Sequence, residues 1–218
     1  MRYIHGITTI LPAEPDNALI MGQTVHTGIK KSLEEAIKEY SFSYPIITDE
    51  HINEIIKFET VIPLARAAIP PGGAFEVEIA DSDFHGFIDY LVPVGDGYFD
   101  LYDFKYSNNV SGYKQSNQLH LYKYFWERNN PGKKIRNMYF LFIPKVSVRQ
   151  KKTETLLDFR QRLKEELAGA EVKTVQIRTK LEKQNQRFEN RKSPENRMVP
   201  GFLSIFELVC RACYLLEN

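Results

Sequence analysis

Val25, Ile29, Leu33 and Ile37 recur every fourth residue, an apolar stripe that predicts a helix over about 22–40. His26 sits at the edge of that stripe. Upstream, Pro12 and Pro15 act as breakers, so residues 1–20 read as irregular. Thr48-Asp49 supplies N-cap chemistry for a second helix through Ile52, Ile55, Ile56 and Phe58, which Pro63 interrupts or kinks. Pro70-Pro71-Gly72-Gly73 is a clear break. The period then shortens to two. Phe75-Glu76-Val77-Glu78-Ile79 alternates strictly, and strands are predicted at about 74–80, 84–94 and 97–106. A helix over about 112–129 is ended by Asn129-Asn130-Pro131-Gly132, and a further β-rich run covers 135–148. The remainder reads as a helix near 153–168, an edge strand near 171–178, a helix near 179–190 and a C-terminal helix from about 203. The polar stretch Asn190 to Met198 reads as a loop.

Two segments of the strand region carry acids inside apolar runs: Gly86-Phe87-Ile88-Asp89-Tyr90 and Tyr102-Asp103-Phe104-Lys105-Tyr106. Residues i and i+2 of a strand share a face, so Asp103 and Lys105 point the same way. A buried carboxylate needs a partner or a metal. Gly95-Asp96-Gly97 between the two runs marks a hairpin. A two-residue Asp96-Gly97 turn would pair Gly95 with Tyr98 and turn Asp103 away from Asp89. A three-residue loop would pair Val94 with Tyr98 and set Asp89 opposite Asp103, with Cα atoms about 4.5–5.5 Å apart. The three-residue loop is the prediction, because that register brings both carboxylates within reach of one divalent cation.

Gly86-Phe-Ile-Asp89, Asp103-Phe-Lys105 and Gln118-Leu-His-Leu-Tyr122, preceded by Gly22-Gln-Thr-Val-His26, resemble the PD-(D/E)XK nuclease superfamily. The order His, Gly-x-x-Asp, Asp-x-Lys, Gln-x-x-x-Tyr is that of its RecB-type branch, which includes phage exonucleases and CRISPR-adaptation nucleases. The motifs span Gly22 to Tyr122. The resemblance implies an α/β fold: a restriction-endonuclease-like αβββαβ core at about 22–148, with a mixed sheet flanked by helices. A basic, mainly helical elaboration over about 149–218 completes a single domain. It implies Mg²⁺ or Mn²⁺ held by His26, Asp89 and Asp103, with Lys105 near the attacking water and the scissile phosphate. Gln118 and Tyr122, four apart on one helix face, would border the DNA path and support the site.

Each residue also has a structural reading. Lys105 and Asp103 could be an ordinary ion pair, and a histidine at a helix edge usually packs or faces water. His120 is an outside candidate. Glu76 and Glu78 lie on one side of their strand, a solvated acidic face or an accessory to the site; Glu78 is the favoured one. Cys210 and Cys213 are the only two cysteines. Many RecB-type relatives hold an iron–sulfur cluster on four, so no cluster is expected here.

Charge sharpens the picture. Residues 1–144 hold 13 Lys/Arg against 18 Asp/Glu, whereas 145–192 hold 14 against 7. The basic stretch reads as a phosphate-tracking surface or as a solvated helix face. No run of 18 apolar residues suggests a membrane span, and Met1-Arg2-Tyr3-Ile4-His5 opens no signal peptide, so the expected location is the cytosol. The expected activity is metal-dependent hydrolysis of DNA, as an exonuclease on ends or single strands in recombination, repair or CRISPR adaptation, with a protein partner or a homo-oligomer allowed. The alternatives are a structure- or site-specific endonuclease and a non-catalytic DNA-binding subunit.

Overall fold

The computed structural model describes residues 14–80 and 82–178. The expected helices at 179–190 and from 203, the loop at 190–198 and both cysteines lie outside the described residues. The chain divides into two compact units: residues up to Pro63 together with Val146–Ala170, and Leu64–Lys145 together with the segment from Glu171. The segment Val146–Ala170 thus belongs with the N-terminal helices in the first unit.

In the first unit, α1 (Ala18–Lys30) and α2 (Leu33–Phe42) replace the single helix expected over 22–40. The break has a local cause. Ser32 is extended and accepts a hydrogen bond from the Glu35 N–H, an N-cap that starts a new helix. Val25 and Ile29 of the predicted stripe are buried, but α2 restarts in a new phase and buries Ala36 and Tyr40 instead of Leu33 and Ile37. α3 (Asp49–Ala68) runs on through Pro63 without the expected interruption. Gly28 of α1 admits a close approach of α3: a Cβ there would lie 2.5 Å from Ile62 Cδ1. α6 (Leu156–Ala168), N-capped by Thr155, buries Phe159, Leu163 and Leu167, and its Arg160 donates to Asn53 and Asp49 of α3.

The second unit is built on a five-stranded sheet in the order β1 (Ala74–Ala80), β2 (His85–Gly95), β3 (Tyr98–Tyr106), β4 (Lys134–Ile143), β5 (Lys173–Ile177). β3 and β4 are parallel and the other pairs antiparallel, a mixed sheet. A parallel pair needs a crossover, supplied by α4 (Val110–Lys114) and α5 (Gln118–Asn129), which divide the helix expected over 112–129. Leu119, Phe125 and Trp126 of α5 join Ile79, Leu91, Leu101, Met138 and Phe140 in one buried cluster. β4 stops at Ile143, before Pro144, rather than at 148.

The β2–β3 turn differs from the expectation, although the register does not. Asp96 and Gly97 both have positive φ (48° and 76°), and Gly95 pairs with Tyr98. That is the two-residue turn whose left-handed residues match the twist of paired strands. A bulge between Pro93 and Gly95 then absorbs one residue. From Pro93↔Phe99 to Tyr90↔Tyr102 the strands follow the register predicted for the longer loop. Continued by one pair, it sets Asp89 level with Asp103.

Candidate active site

The hydrogen-bonded ladder between β2 and β3 ends at Tyr90↔Tyr102. One residue on, Asp89 Oδ2 accepts the Phe104 N–H at 2.6 Å. A side chain here does what a strand carbonyl would otherwise do, so the backbone donor is satisfied while the ladder opens. Asp89 is half-buried and Asp103 only 2 % exposed.

Asp103 is held from two sides. Gln118 Nε2 donates to its Oδ1 at 3.0 Å, and Lys105 Nζ stands 2.8 Å from its Oδ2. The lysine contact is an ion pair without hydrogen-bond alignment, and Oδ2 is a buried oxygen with no aligned donor. The Lys105 ammonium also lies 5.1 Å from the Tyr113 ring centre and 5.9 Å from that of Phe140. These aromatic faces favour a cation at that point. Sequence alone did not separate Tyr113 from the aromatics of the core.

Gln118 stands in the first turn of α5, after Asn117. It also donates to the Tyr122 hydroxyl at 3.0 Å, so the i, i+4 pair meets as its spacing predicts. Burial, and then the nearby Asp103 carboxylate, push the Tyr122 phenol well above its ordinary pKa of 10.0. It therefore stays protonated well into the alkaline range. Gly86 makes room for this side chain: a Cβ there would come within 3.0 Å of the Phe84 ring and 3.3 Å of the Tyr122 ring.

On the neighbouring strand, Phe75↔Tyr90 and Val77↔Ile88 bracket a position where Glu76 lies level with Asp89. Glu76 has φ +49°, a left-handed conformation uncommon for a non-glycine residue. Glu78, the glutamate favoured from sequence, lies two residues along, is exposed, and meets His85 Nε2 at 2.9 Å. His120 is half-buried on α5, and burial followed by the charge of Lys123 lowers its pKa. His26 lies half-buried on α1, in the first unit, whereas Asp89, Asp103, Lys105, Gln118 and Tyr122 belong to the second. Among the described residues, no group of three or more His, Cys, Asp and Glu side chains converges as a metal cage. No helix among them is long and apolar enough to cross a membrane.

A comparison with curated protein sequences gives no significant match. A crystal structure described as "Putative exonuclease" from Eubacterium rectale is similar in fold, with a TM-score of 0.53 at 14% identity, covering 95% of this chain and 84% of that one. The profile of the PD-(D/E)XK nuclease superfamily matches residues 1–215. The mixed sheet flanked by helices is the restriction-endonuclease-like fold, and the chain belongs to the PD-(D/E)XK nuclease superfamily.

Proposed function

We propose that this chain is a divalent-metal-dependent deoxyribonuclease of the RecB type, acting as an exonuclease on DNA ends or single strands, with both units forming one nuclease domain. The observation that carries the reading is the contact set of Asp103: buried, gripped by Gln118, 2.8 Å from Lys105, and with Oδ2 lacking an aligned donor. A buried oxygen left with spare acceptor capacity beside a second carboxylate suits a hard cation, since Mg²⁺ sites commonly use one or two carboxylates. The superfamily generally uses divalent metals, and Asp89 and Asp103 would hold the ion here, with His26 as the imidazole ligand that tilts preference toward Mn²⁺. When bound, such an ion supplies charge neutralisation at the phosphate and a more acidic water.

The protein's own groups do the rest. Lys105 places a cation where charge grows on the phosphate oxygens. Gln118 fixes the orientation of the Asp103 carboxylate and receives no proton itself. The Tyr122 phenol accepts from Gln118 and keeps its own proton for donation. Exonuclease action, in recombination, repair or CRISPR adaptation, is the reading that the resemblance in motif order supports, not one that any distance supplies.

The test uses end-labelled single- and double-stranded linear DNA and a closed circle, with Mg²⁺ or Mn²⁺, against an Asp103→Ala control. Steady shortening of linear DNA with circles spared, absent in the control, is the expected result. Linearised circles would replace exonuclease by endonuclease action. Binding without cleavage of any substrate would overturn the enzyme reading in favour of a DNA-binding subunit.

A further inference from the structure

The chain leaving β4 enters the segment Lys145-Val-Ser-Val-Arg149-Gln-Lys151-Lys152-Thr153, with four cations and no carboxylate. The next acid, Glu154, is consumed internally. Arg162 forks onto it through Nε and Nη2, both at 2.7 Å, and the same Nη2 donates to the Arg149 carbonyl at 3.0 Å. Glu154 also accepts the Lys151 N–H at 3.0 Å, while its carbonyl takes the Gln150 amide at 2.8 Å. The Arg162 hydrogen bonds, ahead of that from Lys151, hold the Glu154 carboxyl down to about 2. Arg160 is likewise spent on Asn53 and Asp49.

Three basic residues of this turn are left differently. Arg149, Lys151 and Lys152 are exposed, and their side chains make no ion pair among the described residues. Their backbone is pinned by the Glu154–Arg162 hub, so the side chains alone remain to be ordered on binding. We propose that Arg149, Lys151 and Lys152 form a preformed strap that tracks the phosphate backbone of DNA. Arg149 to Lys152 spans at most about 10 Å of chain. A duplex of that length carries about six phosphates, enough to engage all three cations. The choice of DNA as the polyanion rests on the nuclease reading, whereas the strap itself rests on the turn.

The experiment measures anisotropy of a labelled duplex in EDTA across a salt series, with the full chain and R149Q/K151Q/K152Q. Removing three phosphate contacts should flatten the slope of log Kobs against log salt by about 2.7. In cleavage assays the same variant should raise KM and leave kcat unchanged. A charge-retaining R149K/K151R/K152R variant should keep the wild-type slope. An unchanged slope in the folded glutamine variant overturns the strap. So does an equal loss of slope in the charge-retaining variant, or tighter binding to phosphatidylserine vesicles than to DNA. Binding is read without hydrolysis, so a flattened slope stands even if cleavage is never seen. Cleavage with an unchanged slope sinks the strap alone.

Discussion

Strand β3 carries two buried aspartates three residues apart, on opposite faces of the sheet, and they are solved in opposite ways. Asp100, 6 % exposed, is saturated: Arg136 donates through Nε at 3.2 Å and Nη2 at 3.0 Å, and Asn137 adds a third bond at 3.0 Å. Asn137 is itself fixed by Gln176 at 2.9 Å. The network closes on itself. Asp103, more deeply buried, has a cation at ion-pair distance yet keeps Oδ2 without an aligned donor. Burial and charge pairing are common to both. Unused acceptor capacity is what separates a carboxylate that holds the sheet from one that can take a ligand.

The sharpest way to break this contrast is to neutralise each acid in turn. Asp103→Asn should reduce cleavage by about 10³-fold or more if, as proposed, that carboxylate holds the ion. The denaturation midpoint should shift far less than activity, since asparagine keeps an oxygen for Gln118 and buries no charge. Lys105→Met should cost about 10²- to 10³-fold in kcat with little change in DNA affinity, as expected for charge stabilisation in the transition state alone. A folded Lys105→Met protein with near-normal turnover would reduce Asp103–Lys105 to an ordinary ion pair.

Asp100→Asn is expected to do the reverse. It leaves one oxygen to accept from Asn137 but sets an amide N–H2 against the Arg136 fork, at a cost of about 1–2 kcal/mol in stability measured by urea denaturation. Cleavage per folded molecule should not change. Loss of turnover in a folded Asp100→Asn protein would mean that saturation is no guide to role on this strand.

How far these sites were legible depends on whether local period or pairing decides them. Asp103 and Lys105 share a face by the two-residue period of a strand, and Gln118 and Tyr122 meet by the helical period, so both contacts could be read directly. The level of Asp89 with Asp103 was also predicted, though through a loop of the wrong length; the bulge at Val94 restored the register. Glu76 and Glu78 show where local reasoning stops. Both lie on one face, and only the pairing of β1 with β2 decides that Glu76 stands level with Asp89. The α1–α2 break lies at Ser32-Leu-Glu-Glu35, a capping sequence set inside a run of four apolar residues at helical spacing, and the spacing alone does not show it. Pro63 does not interrupt α3, because proline removes one hydrogen bond and the rest of a long helix can carry it across that loss. The return of 146–170 to the N-terminal helices is tertiary and has no local signature.

Smaller effects are expected one step away from the carboxylates. Gln118→Leu removes the donor that orients Asp103 and should cost about 10- to 100-fold in activity, the usual range for a residue that supports a ligand. Its signature is a higher half-saturating Mg²⁺ concentration. A purely structural role would lower stability and leave the metal dependence alone.

Tyr122 gives the finest discrimination, because its phenol titrates differently in the folded and unfolded chain. Its pKa lies above the ordinary 10.0 in the fold, chiefly through burial and then through Asp103. The native state therefore retains a proton that the unfolded chain releases. The stabilisation is fully present below about pH 10 and is lost as pH rises from there toward the folded pKa. Tyr122→Phe should flatten this alkaline decline in urea-denaturation stability. Asp103→Asn should flatten it in part, because one cause of the raised pKa is gone. If Tyr122→Phe leaves the alkaline slope unchanged, the phenol is not held protonated by its surroundings, and neither burial nor the Asp103 carboxylate acts on it as its place beside Gln118 requires.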